Sequence, residues 1–220
     1  MSDIAPTTAE TAAPPQLTPH ASLERVIMLV NPLSGSVGPK AAEEARAIFA
    51  EHGCDADVAD LEGGRFDEQI AEALDQKPDV LFILAGDGTA GAVASRAGQT
   101  GPLVAPLPGG TMNMLPKALY GTGDWKQALR KALAEGAPQN VAGGVVIDGD
   151  TRSPFYCAAI LGSPALWAPA REAVRTGKFK LAWQYGRRAL KRAFSGRIRY
   201  QLDGGPRRRT EALVLISPMI

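Results

Sequence analysis

Short apolar runs alternate with helical patterns from Arg25 to Glu135 of this 220-residue chain. Apolar runs of four to eight residues that end at turn formers are typical of buried strands, and apolar residues three or four apart indicate amphipathic helices. The predicted strands are 25–30, 55–60, 80–85 and 102–107. The predicted helices are 41–52, 66–74, a helix from Ala90, a short one up to Tyr120, and 125–135. Alternation of this length predicts an α/β fold with a doubly wound, mostly parallel sheet.

The pattern changes after about Gln139. Apolar runs at 141–148, 155–161, 197–203 and 212–217 are joined by Gly- and Asp-rich turns, and residues 165–194 look helical. We predict a second, antiparallel β-rich domain with a helical insertion. The predicted organisation is a disordered Ala/Thr/Pro-rich tail at 1–22, an α/β domain at 23–137 and the second domain at 138–220. We expect that second domain to be incomplete, because the sequence stops directly after an apolar strand.

Composition and charge narrow the class of protein. No run approaches the roughly 20 apolar residues of a membrane span, and no secretory signal precedes the first strand. The two cysteines show no metal-binding or disulfide spacing, which favours a location in the cytoplasm.

Residues 171–209 carry 13 Lys or Arg against two acidic residues. This basic block predicts an anionic partner, and we expect peripheral contact with the inner face of a membrane. No aromatic-basic platform or helix-turn-helix pattern supports nucleic-acid binding. A homodimer is compatible with the sequence.

Three glycine-rich turns each follow a predicted strand: Asn31–Gly35, Gly86–Thr89 and Gly109–Asn113. In a parallel sheet they would share the carboxyl edge, where open α/β folds bind ligands. Glycines admit close approach to the backbone, and a helix N-terminus attracts phosphate. None of the turns fits the P-loop or the dinucleotide fingerprint. Asp87 would hold a metal ion or accept a proton; the alternative is an ordinary turn in which Asp87 caps the following helix.

The order NPLSG, AGDGT, PLPGGTMN resembles the catalytic domain of diacylglycerol kinases and their bacterial lipid-kinase relatives, a superfamily that includes sphingosine kinases and NAD kinases. The first motif favours the lipid-kinase branch. The resemblance implies an ATP- and Mg²⁺-dependent kinase, with its active site between two domains, that phosphorylates a lipid alcohol such as diacylglycerol. It implies that Asp87 serves the metal or the catalytic proton. The nucleotide would be held by residues of all three turns: Asn31, Ser34, Gly35, Gly86, Gly88, Thr89, Gly110, Thr111 and Asn113.

The sequence also departs from the family pattern. Ala85 stands where relatives have Gly, Gly91-Ala92 where they have Asn-Glu, and Met114 where many have Asp. Carboxylates that relatives contribute from late in the second domain would lie beyond Ile220. These departures motivate an alternative, a catalytically weak nucleotide-binding or regulatory protein of the same fold. A kinase that acts on a soluble small molecule is a further alternative.

The basic block contains one amphipathic helical pattern. Phe179, Trp183, Gly186, Leu190 and Phe194 recur at helical spacing, while Arg187, Arg188, Lys191 and Arg192 lie on another side. A basic helix with Trp and Phe on its apolar side is suited to a membrane interface. The alternative is that the apolar side packs on the β-rich domain and the cations are simply solvated.

Overall fold

The computed structural model describes residues 23–175, 177–193, 198–201 and 205–217. The described residues up to Val141 form one compact unit, and those from Ala142 onward form a second. The predicted tail at 1–22 lies outside the described residues, as do Phe194 and parts of the strand predicted at 197–203.

The first unit is a four-stranded parallel sheet with the order β2-β1-β3-β4. Its strands are β1 (Val26–Val30), β2 (Ala56–Asp60), β3 (Val80–Ala85) and β4 (Leu103–Pro108). Its helices are α1 (Ala41–Glu51), α2 (Phe66–Asp75), α3 (Asp87–Ala97), α4 (Met114–Tyr120) and α5 (Trp125–Glu135). The predicted doubly wound α/β fold is therefore confirmed.

Alternate residues of the central strands enter two different cores, because successive side chains of a strand point to opposite faces. Met28 and Phe82 belong to the core on the side of α1 and α5, where Phe82 meets Phe49 edge to face at 5.5 Å. Ile27 and Leu81 belong to the core on the side of α2 and α3. Every residue of β3 is buried, as expected for a strand covered on both faces.

Strand register brings the carboxyl ends of the central strands level. Val30 pairs with Leu84 between β1 and β3, and Ala85 pairs with Pro108 between β3 and β4. From β1 the chain moves outward to β2, then returns to the other side of β1 to form β3 and β4. The boundary between β1 and β3 is therefore a topological switch point, where open α/β sheets leave a crevice for ligands.

The described residues of the second unit form three antiparallel strand pairs, which confirms its predicted β-rich class. The pairs are β5 (Gly144–Asp148) with β6 (Thr151–Phe155), β7 (Ala158–Gly162) with β10 (Ala212–Ile216), and β8 (Ile198–Tyr200) with β9 (Arg208–Thr210). The single strand predicted at 155–161 is wrong: residue 155 ends β6, and β7 starts at residue 158. Strands β6 and β9 show no apolar pattern, because their residues TRSPF and RRT are mostly polar and exposed.

The predicted helical insertion forms a 3₁₀ helix (Ser163–Trp167), α6 (Ala168–Arg175) and α7 (Phe179–Ala193). None of the helices in the described part of the chain combines the length and the apolar character that crossing a bilayer requires.

Candidate functional site

The sequence suggested that Gly86–Thr89 is a free turn. In the structure this segment is the start of α3. Gly86 is the N-cap residue, with an extended backbone (φ −77°, ψ 162°), and its carbonyl accepts the first helical hydrogen bond from the Ala90 amide at 3.1 Å. The amides of Asp87, Gly88 and Thr89 therefore have no acceptor inside the helix. Helix formation begins earlier than predicted because Gly86 alone makes the turn. These amides and the helix dipole favour an anion at this position.

Asp87 links the starts of two helices. Its Oδ2 accepts a hydrogen bond from the Met114 backbone amide at 3.3 Å, at the first residue of α4. The structural alternative for Asp87, capping its own helix, does not hold, because Gly86 occupies the N-cap position. The other carboxylate oxygen, Oδ1, is buried and has no hydrogen-bond partner among the described residues. A buried carboxylate oxygen without a partner is costly unless a proton, a cation or another donor reaches it.

The second and third glycine-rich turns touch through their backbones. A Cβ on Gly110 would lie 2.7 Å from the Gly86 Cα, which is closer than side chains pack. A Cβ on Gly109 would lie 2.8 Å from both the Ala85 backbone nitrogen and the Val37 side chain. Both positions therefore require glycine for close approach of two chain segments rather than for a left-handed backbone. This contact explains why the two glycines are adjacent.

Asn113 fixes the shape of the third turn. It is one of the few buried polar residues, 5% exposed, and adopts the left-handed conformation (φ 52°, ψ 45°). Its Oδ1 accepts from the Gly110 amide at 2.6 Å, and its Nδ2 donates to the Gly110 carbonyl at 2.9 Å. Both polar groups of the side chain are therefore engaged by the turn itself. Asn113 therefore positions Gly110, and the sequence did not indicate this role.

The first turn adjoins the other two. The Asn31 amide donates to the Leu84 carbonyl of β3 at 2.9 Å, and Asn31 Oδ1 accepts from the Leu33 amide at 3.1 Å. A Cβ on Gly35 would lie 3.7 Å from Thr111 Oγ1, so the first and third turns are in contact distance. All three turns thus meet beside the switch point, at the carboxyl edge of the sheet where the sequence predicted them.

Sequence reasoning missed Ser36, which joins the first turn to the third. Its amide donates to the Gly109 carbonyl at 3.3 Å, and its hydroxyl lies 3.4 Å from the carbonyl oxygens of both Pro108 and Gly110. The only sign of this role in the sequence was the position of Ser36 beside Gly35. That sign is weak, because a small hydroxyl residue in a glycine-rich loop has many roles. Ser34 contributes a backbone hydrogen bond within its own turn, from its amide to the Asn31 carbonyl at 3.0 Å.

The residues present fit a phosphate-bound Mg²⁺ better than a metal held by protein alone. Across residues 23–217, wherever the structure is described, no three His, Cys, Asp or Glu side chains are grouped as metal ligands. Mg²⁺ often binds through one or two carboxylates together with substrate phosphates and water. Asp87 is the first residue of α3, and its Oδ1 has no hydrogen-bond partner among the described residues, so it is the side chain suited to that arrangement.

Comparisons with known proteins bear on the fold and the family of this chain. Residues 25–146 match the diacylglycerol kinase catalytic domain family. The fold is similar to the crystal structure of a diacylglycerol kinase from Bacillus anthracis str. Sterne, with a TM-score of 0.56 and 16% identity over 89% of this chain and 64% of that one. A further solved structure from the same organism gives a TM-score of 0.57 and 18% identity over 89% of this chain and 66% of the other.

The chain thus spans less than two thirds of the length of these structural relatives. A sequence search of curated proteins finds no match. The family match covers more than half of the chain and includes all three glycine-rich turns. The chain therefore belongs to the diacylglycerol kinase catalytic domain family.

Proposed function

We propose that this protein is an ATP-dependent lipid kinase that transfers the γ-phosphate to the hydroxyl of a lipid alcohol such as diacylglycerol. The observation that carries the proposal is the meeting of three glycine-rich turns at the switch point, with Asp87 and the free amides of α3 beside them. Family membership supports phosphoryl transfer as the reaction.

Phosphoryl transfer depends mainly on positioning and on stabilising negative charge. The amides of Gly88 and Thr89 would donate to phosphate oxygens, and the glycines would let the nucleotide approach the backbone. Asn31, Ser34, Gly35, Gly110, Thr111 and Asn113 would shape the remainder of the nucleotide site. Asp87 would hold Mg²⁺, which when bound supplies positive charge to the phosphates. Asp87 is also the carboxylate available to accept the proton of an acceptor hydroxyl.

A lipid acceptor is supported by the family and by the basic block at 171–209. The reaction would then take place at a membrane surface that faces the cytoplasm. A soluble alcohol is the competing acceptor class, and it would require no membrane affinity.

The test is incubation of the full chain with labelled ATP and Mg²⁺ and with a panel of acceptors, followed by identification of products by mass. The panel contains diacylglycerol, other lipid alcohols and soluble sugars or nucleosides. The proposal expects a phosphorylated lipid and no phosphorylated sugar or nucleoside. A phosphorylated sugar or nucleoside without phosphorylated lipid would overturn the lipid assignment.

A second candidate is a nucleotide-binding protein without turnover. Directly after the second and third turns, Gly91-Ala92 and Met114 stand where the family pattern has Asn-Glu and, in many relatives, Asp. Asp87 is therefore the one acidic side chain within or directly after the three glycine-rich turns. This candidate expects saturable ATP binding, measured by calorimetry, together with no phosphorylated product from any acceptor.

A further inference from the structure

We propose that α7 is a membrane-docking helix, which lies along an anionic bilayer surface with Phe179, Trp183 and Leu190 inserted among the lipids. The inference concerns binding rather than catalysis, and it holds whether or not the kinase proposal is correct. It rests on the packing of α7, its exposed apolar side chains and its charge.

The helix packs onto its own unit through small residues. Ala182 and Ala189 are buried, at 8% and 3% exposure. Gly186 lies on the same side, where a Cβ would be 3.7 Å from the Trp167 ring at the end of the 3₁₀ helix. These positions recur at intervals of three and four residues, so they form one face of the helix. The face that contacts the protein therefore centres on these small residues, and we call it the small-residue face; it also includes the half-buried Leu181 and Tyr185.

The large apolar side chains lie at the edge of that contact and are left exposed. Phe179 is 70% exposed, Trp183 71% and Leu190 56%. Their spacing of four and seven residues sets them on one side of α7, adjoining the small-residue face, with the partly exposed Trp167 next to Gly186. Large side chains left in water in this way mark an interaction surface. The alternative interpretation of the sequence was that this apolar side packs on the β-rich domain. It does not hold for these three residues, because they are exposed.

Charge identifies the occupant. The 15 residues of α7 include five Lys or Arg and no acidic residue. Lys180, Arg187 and Lys191 lie beside the apolar stripe, and none of these three forms an ion pair with another described side chain. A bilayer that contains anionic lipids satisfies both features at once, because it takes Trp and Phe at the interface and cations at the headgroups. A nucleic acid would leave the apolar stripe in water, and an apolar protein segment would leave the cations unmatched.

The experiment is co-sedimentation of the full chain, without ATP, with vesicles of phosphatidylcholine alone or with one third phosphatidylglycerol. The wild-type protein is compared with F179S/W183S, which removes the stripe, and with R187Q/K191Q, which removes two flanking cations. The matched controls are V145S/I147S, at exposed apolar residues of β5, and R152Q/R199Q, at exposed cations of the same unit. Circular dichroism verifies that each variant is folded.

The proposal expects wild type and both controls to sediment with anionic vesicles and hardly at all with neutral ones. Each cation removed near an anionic surface weakens binding about fivefold, so R187Q/K191Q should bind about 25-fold more weakly. F179S/W183S should lose at least about tenfold in vesicle affinity.

The proposal is overturned if both variants sediment as wild type does, or if wild type does not bind anionic vesicles. It is also overturned if F179S/W183S changes only the oligomeric state, which would indicate a second copy on α7. Failure of kinase activity with normal sedimentation of wild type would affect the proposed function alone.

Discussion

Asp87 Oδ2 and the Met114 backbone amide are joined by a hydrogen bond of 3.3 Å, which ties the start of α3 to the start of α4. The donor is a backbone group, so this link does not depend on the side chain at position 114. Met114 at this position therefore leaves the link intact. The same bond holds one oxygen of Asp87 and leaves the other, Oδ1, directed into a buried position without a partner among the residues described here.

Gly110→Ala should destabilise the protein and abolish ATP binding. The new Cβ would lie 2.7 Å from the Gly86 Cα and 3.2 Å from Asn113 Oδ1, so the second and third turns must separate. Overpacking of this kind costs about 1–3 kcal/mol of unfolding free energy. Urea denaturation and calorimetric titration with ATP measure the two effects. Gly63→Ala is the control, since nothing lies within 4 Å of its Cβ position. Equal stability of both variants would contradict the observed contact.

Gly88→Ala should separate binding from stability. Gly88 is helical, and its Cβ position is open, so alanine should raise the unfolding free energy by up to about 1 kcal/mol. The same methyl group would occupy space beside the α3 amides, so ATP affinity should fall at least about tenfold. Thermal unfolding and ATP titration measure the two quantities. Undiminished ATP affinity in a stabilised protein would show that phosphate does not bind at the start of α3.

Asn113→Ala should cost more stability than Asn113→Gly. Both variants lose the two side-chain hydrogen bonds to Gly110, worth about 0.5–1.5 kcal/mol each. Only alanine must also be forced into the left-handed backbone at φ 52°, which adds about 1 kcal/mol. Urea denaturation of both variants gives the comparison, with the exposed Asn140→Ala as the control. A glycine variant as unstable as the alanine variant would argue against backbone strain at this position.

Tyr120→Phe should remove an alkaline instability. Burial raises the pKa of Tyr120 to about 12 from its ordinary value near 10. Between these values the unfolded chain loses the phenolic proton while the folded protein keeps it, so stability is full below pH 10 and falls as pH rises towards 12. The loss should be about 1–3 kcal/mol. Urea denaturation at pH 9 and pH 11 measures it. The variant should show a smaller decrease than wild type, and identical decreases would contradict the pKa.

The parallel sheet and the meeting of its three turns were predictable from sequence because apolar strands and glycine-rich turns are strong local signals. The start of α3 at Asp87 was less predictable, since Gly-Asp-Gly-Thr suits a turn and a helix start equally. Hydrophobic periodicity carries no information about hydrogen bonds between or within turns. Examples are the bonds of Ser36 to the Gly109 and Gly110 carbonyls and those of Asn113 to Gly110. In the second unit, β6 and β9 form by pairing with neighbours despite exposed, polar sequences.

The central claim, that Asp87 serves phosphoryl transfer at the meeting point of the three turns, is tested most directly by Asp87→Asn. Asparagine keeps an oxygen that can accept from the Met114 amide, so the unfolding free energy should change by less than about 1 kcal/mol. The charge is lost, so formation of labelled lipid from ATP and diacylglycerol should fall at least about 100-fold. Asp75→Asn, at an exposed residue that ends α2, is the control and should keep wild-type activity. Wild-type rates of transfer in folded Asp87→Asn would contradict the claim.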